Sequence, residues 1–143
     1  MEEKDLLIKN IVNNGSMMDV IKMTSYVNKY EDEFNIENRI VNLSNVKITK
    51  AKREKLNEIL DILDKNVRFF YYIFVVKNKF DTVQYFVNIH EGLNGDGDFV
   101  ADDMTNVYAA MIKIKTIVEW ISLTDVSVDI VDEVSTWGLT FTL

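Results

Sequence analysis

Phe69-Phe70-Tyr71-Tyr72-Ile73-Phe74-Val75-Val76 is the stretch on which the fold turns. Eight consecutive aromatic and β-branched residues, with no polar break and no alternation, predict a central β-strand covered on both faces. The run is the longest apolar one in the chain and falls well short of the roughly 18 residues needed for a membrane span.

Upstream, residues 50–66 predict the clearest helix. At helical spacing Leu56, Ile59, Leu60 and Leu63 gather on one side, and Glu54, Asn57, Asp61, Asp64 and Lys65 on the other. Further back, residues 3–12 form a short amphipathic pattern that Asn13-Asn14-Gly15 would end. Ser16 then reads as the N-cap of a second helix running to about Glu31, with Asp19 three residues on. Between these helices and the third, Val41, Leu43, Val46 and Ile48 alternate as a short edge strand would.

Downstream, Lys77-Asn78-Lys79 supplies a turn and residues 80–90 return as a strand. Val83, Tyr85, Val87 and Ile89 share one side, with Phe86 breaking the alternation. A glycine- and aspartate-rich loop, Gly92 to Gly97, leads to a helix over 103–122 that Asp102 or Asp103 would cap. Two alternating strands close the chain, one from Val126 and one around Trp137 to Leu143. The order is α-α-α-β-β-α-β-β. It predicts an α+β fold, an antiparallel sheet of four to five strands with helices packed on one face, in a single globular domain over 1–143.

Composition supports a packed core. Of 143 residues, 48% are hydrophobic and 11% aromatic, which excludes a disordered chain. Cysteine is 0, so disulfides, thiolate zinc sites and cysteine nucleophiles are excluded. The acidic start, Met1-Glu2-Glu3-Lys4-Asp5, is unlike the basic opening of a signal peptide. A cytoplasmic location is expected. The abundance of Lys, Asn and Ile points to an AT-rich bacterial, phage or viral genome, with host cytoplasm as the address in the last two cases.

The formal charge of −7 is unevenly spread. Residues 1–79 carry 14 basic and 12 acidic side chains, whereas residues 80–143 carry 2 basic and 11 acidic ones. The acidic half disfavours nucleic acid, because phosphate neutralisation needs Lys and Arg. It would steer a partner protein with a basic surface. A basic patch, Lys47, Lys50, Lys52, Arg53 and Lys55, falls where the third helix starts and opposes the helix dipole there. Its readings are a solvated helix end, an anion or RNA contact, or a partner for the acidic half.

Catalytic constellations are thin. The one histidine, His90, is followed by Glu91, and no Gly-x-Ser-x-Gly or phosphate-binding glycine loop is present. Asp96, Asp98 and Asp102 are weak candidates for a divalent ion, since their spacing begins like a calcium loop. The match then fails, with Phe99 where glycine is needed and Thr105 where a bidentate glutamate belongs. No cofactor is expected.

Trp120 lies on the far side of its helix from the apolar face of Val107, Met111, Ile114, Ile117, Val118 and Ile121, beside Lys113. Tryptophan is enriched at binding hot spots. The expected partner-binding set is therefore Trp120, Lys113, Asp129, Asp132, Glu133, Asp96 and Asp98. The leading expectation is a non-enzymatic acidic protein-binding module of inhibitor, immunity or anti-defence type. The alternatives are a structural or chaperone-like homo-oligomeric subunit, a homodimer among them, and a metal-dependent hydrolase using the acidic loop and His90.

Overall fold

Both faces of the strand Phe70–Lys77 are covered in the computed structural model of the chain, which describes residues 2–66, 70–89, 112, 115–120, 126–131 and 136–142. Tyr72, Phe74 and Val76 enter one core, and Ile73 and Val75 the other. The elements are α1 (Glu3–Asn14), α2 (Met17–Lys29), a 3₁₀ turn (Glu31–Glu33), β1 (Ile36–Glu37), β2 (Ile40–Asn42), α3 (Lys50–Asn66), β3 (Phe70–Lys77), β4 (Val83–Ile89), β5 (Val126–Val131) and β6 (Thr136–Phe141). Residues 115–120 are helical, within the helix expected over 103–122. The strands form one six-stranded sheet in the order β1-β2-β3-β4-β6-β5.

The α+β class stands, and two of its details differ from the expectation. First, the sheet is mixed: β2 runs parallel to β3, with Val41 opposite Phe74, and all other neighbours are antiparallel. Parallel neighbours need a long crossover, and α3 provides it. Second, helices cover both faces. Leu56, Ile59, Leu60 and Leu63 of α3 pack on Ile40, Ile73, Val75, Tyr85, Val87 and Phe141. On the opposite face Leu7, Ile11, Val20, Met23 and Val27 of α1 and α2 pack on Val41, Tyr72, Phe74, Val76 and Phe86. A strand apolar on both sides leaves no face that can be wetted cheaply, so each needs its own layer. Burying a side chain such as Leu63 stabilises by about 1.5–3 kcal/mol, an upper figure given residual burial in the unfolded chain.

Phe86, the break in the alternation of β4, is explained by the second layer, because it alone among Tyr85, Phe86 and Val87 points to the α1/α2 side. Gly15 lies against its ring: a Cβ there would sit 3.4 Å from Phe86 Cζ, and Gly15 has φ +58°. That left-handed residue ends α1, as its sequence suggested. Ser16 then caps α2, its hydroxyl accepting from the Asp19 backbone N–H at 3.3 Å and donating to the Asp19 carboxylate at 2.8 Å.

The alternating residues before α3 do not form one edge strand. Val41 lies in β2, inside the sheet between β1 and β3, while Val46 and Ile48 pack partly buried on the α3 core. β1 and β2 are joined by a two-residue turn in which Asn38 (φ 48°) and Arg39 (φ 64°) are both left-handed. Two positive φ values match the twist of a tight hairpin, although Arg39 is not a residue usually chosen for one. Contacts to α3 hold it: Asn38 Nδ2 donates to Asn57 Oδ1 at 3.0 Å, and Arg39 pairs with Asp64 at 2.8 Å. Asn78 organises the β3–β4 turn in the same spirit, its Oδ1 accepting from the backbone N–H groups of Phe80 and Thr82.

Candidate functional site

Val118 anchors the helical segment 115–120, being fully buried in the core on the α3 face. Two residues on, 200° around the helix by its periodicity, Trp120 points away and is 80% exposed. Thr116, Ile117 and Glu119 line a shallow hollow with it. Lys115 and Glu119 form an ion pair one turn apart, so the charge beside the indole is partly neutralised. Ile112, one turn below Thr116, is also partly exposed. The arrangement offers a flat ring and a few aliphatic groups to solvent, with polar groups at their margin.

Of the other residues expected to bind a partner, Asp129 is placed only through its backbone, in β5 opposite Gly138. Lys113, Asp96, Asp98, Asp132 and Glu133 lie outside the described residues, as do His90, Glu91 and Asp102. Among the described residues, no three His, Asp or Glu side chains converge where they could hold a metal ion. Also among them, no helix is long and apolar enough to cross a membrane.

The basic patch is distributed along the first turns of α3. Lys47, Lys50 and Arg53 are exposed, and Lys52 and Lys55 partly so. Arg53 pairs with Glu37 of β1 at 2.9 Å, and the Thr49 hydroxyl accepts from the Lys52 backbone N–H at 3.3 Å. The helix end is thus capped from within, and one of its five charges faces a carboxylate.

A further site carries no signal in the sequence, because its residues come from separate segments. The C-terminal end of α2 and the 3₁₀ turn bring Tyr26, Tyr30 and Phe34 together. Tyr26 and Tyr30 have ring centroids 4.7 Å apart, and Tyr26 meets Phe34 edge-on at 5.9 Å. The N-terminal end of α1 adds Lys4, whose Nζ lies 4.6 Å from the Phe34 centroid and donates to the Glu33 carbonyl. Lys29 Nζ lies 5.6 Å from the Tyr30 centroid. Burial raises the Tyr26 phenol above its ordinary value, and the charges of Glu33, Glu3, the Tyr30 phenolate and Glu2 raise it further. Carboxylates of Glu2, Glu3 and Glu33 therefore act together on one aromatic group. The Tyr72 hydroxyl fastens Glu31 from beneath, donating to its Oε1 at 3.0 Å. In sequence these acids are masked by the near-neutral balance of the first 79 residues.

Comparison with family models, with curated proteins and with solved structures gives no match.

Proposed function

We propose that this chain is a non-enzymatic protein-binding module that docks on a basic surface of a partner protein, in the manner of an inhibitor, immunity or anti-defence protein. The observation that carries the reading is Trp120, a large apolar ring held 80% exposed on a segment anchored by a fully buried neighbour. Leaving an indole in water forgoes burial worth about 1.5–3 kcal/mol for a large side chain, and a partner that covered it would recover that gain. The excess of 23 acidic over 16 basic residues supplies long-range attraction to a basic surface and raises the encounter rate. A cytoplasmic site of action accords with this proposal.

The test is retention of a partner from cell lysate by immobilised wild-type chain and by Trp120→Ala, each at low and high salt. One stoichiometric protein, retained by the wild type, lost by the variant and released by salt, supports the reading. Equal retention by both chains removes Trp120 from it. Light scattering of the purified chain separates the remaining case: a Trp120-dependent homo-oligomer would make the partner a second copy.

A further inference from the structure

We propose that the acid-and-aromatic corner of α1, α2 and the 3₁₀ turn is a second docking surface, built for a lysine-rich extended segment of a partner protein. It is independent of the Trp120 surface, which rests on the α3 face of the sheet, whereas this corner belongs to the helices of the opposite face.

Charge complementarity is the first argument. Glu2, Glu3, Glu31, Asp32 and Glu33 are all exposed, and among the described residues Lys4 and Lys29 stand over the rings to offset them in part. Ring geometry supports the same occupant independently of the carboxylates. The corner already seats alkylammonium groups, with Lys4 Nζ over Phe34 and Lys29 Nζ over Tyr30. An ammonium over an aromatic face is attracted by the ring quadrupole, and nearby carboxylates deepen that attraction. Lys4 also shows how the polar end is satisfied there, by donating to the Glu33 carbonyl. Tyr30 remains 41% exposed and borders a hollow with Asn28, Lys29, Glu31, Asp32 and Glu33, so a lysine from outside has exposed ring surface and carboxylates within reach. A flexible lysine-rich strand fits this better than a compact basic surface, because the cations must enter one at a time between side chains.

The test uses the full chain and a fluorescein-labelled peptide of alternating lysine and glycine, read by anisotropy. Glu2→Gln, Glu3→Gln, Asp32→Asn and Glu33→Gln together leave the Glu31–Tyr72 bond in place and should weaken binding by about tenfold or more at low salt. Tyr30→Leu keeps every charge and should weaken it about threefold with the salt dependence unchanged. Trp120→Ala should leave the peptide affinity unaltered, so failure here and failure of the Trp120 reading are told apart. Thermal melting confirms that the variants fold.

Two results overturn the proposal. One is an equal loss when Glu54, Glu58 and Asp61 of α3 are neutralised instead, which would make the attraction a general one. The other is displacement of the peptide by residues 47–55 of this chain together with salt-sensitive dimers in light scattering. That would assign the corner to self-association through the basic patch.

Discussion

The two faces of the sheet reach the same dryness by different routes. On the α3 face, helix and strands are consecutive in the chain: β2, α3 and β3 form one parallel crossover, and four aliphatic residues of α3 fill the layer. On the other face, α1 and α2 lie ahead of every strand and are held on the sheet by packing, against a floor of aromatic residues, Tyr72, Phe74 and Phe86. A crossover helix is tethered at both ends, so its position is partly imposed by connectivity. A helix pair joined to the sheet through one segment depends instead on its own joint and on side-chain fit. The α1/α2 face should therefore be the more sensitive to local backbone changes, and the α3 face the more sensitive to loss of core volume alone.

The largest effects should come from emptying either layer. Phe74→Ala should cost about 3–5 kcal/mol and Leu63→Ala about 2–5 kcal/mol, measured by urea denaturation. Because the two cores share no buried side chain among the described residues, Leu63→Ala and Met23→Ala should add to within roughly 0.5 kcal/mol when combined. A coupling well above that would show that β3 transmits strain between layers, and the comparison of independent faces would fail.

Next in size is the joint between α1 and α2. Gly15→Ala places a Cβ in a left-handed conformation, at a cost of roughly 1–2 kcal/mol, with the Phe86 ring as its nearest contact. Ser16→Ala removes the α2 cap and should cost about 1 kcal/mol. If hydrogen exchange showed these losses spread evenly over α3 as well, the joint would not be a local feature of its face.

Much of this was legible in the residues. The all-apolar run of β3, the period of α3, the Gly15 stop and the Ser16 cap are local signals, and each element formed where its chemistry pointed. The parallel crossover was not legible, because β2 is three residues long and its hairpin turns on Asn38-Arg39, a pair without the glycine that usually marks such a turn. The layer on the second face was implied by β3 itself, yet the clean alternation in the last two strands argued for a wetted side. Trp120 was identifiable by helical phase alone. The acid-and-aromatic corner was hidden, since Lys4 and Phe34 meet only after folding and the local charge balance is nearly neutral.

The smallest effect, absent at neutral pH, separates the faces by the origin of their electrostatics. Tyr85, on the α3 face, is 1% exposed and stacks on Phe141 at 5.3 Å; burial alone raises its phenol above the ordinary 10.0. Tyr26, on the α1/α2 side, is raised from the same value by burial first and then by Glu33, Glu3, Tyr30 and Glu2. Below about pH 10 both phenols are protonated in folded and unfolded chains, and neither makes stability depend on pH. As pH rises through that value the unfolded chain ionises first, so stability is lost until the folded pKa is passed. Tyr85→Phe and Tyr26→Phe should each remove part of this alkaline loss, in melts across the same range. Salt then discriminates between them: it screens carboxylates at an exposed corner and leaves desolvation untouched. Ultraviolet titration of phenolate should find the Tyr26 pKa lowered in high salt and the Tyr85 pKa unmoved. Equal movement of the two would mean that the carboxylates do not act on Tyr26, and the corner would lose the charge on which its proposed role depends.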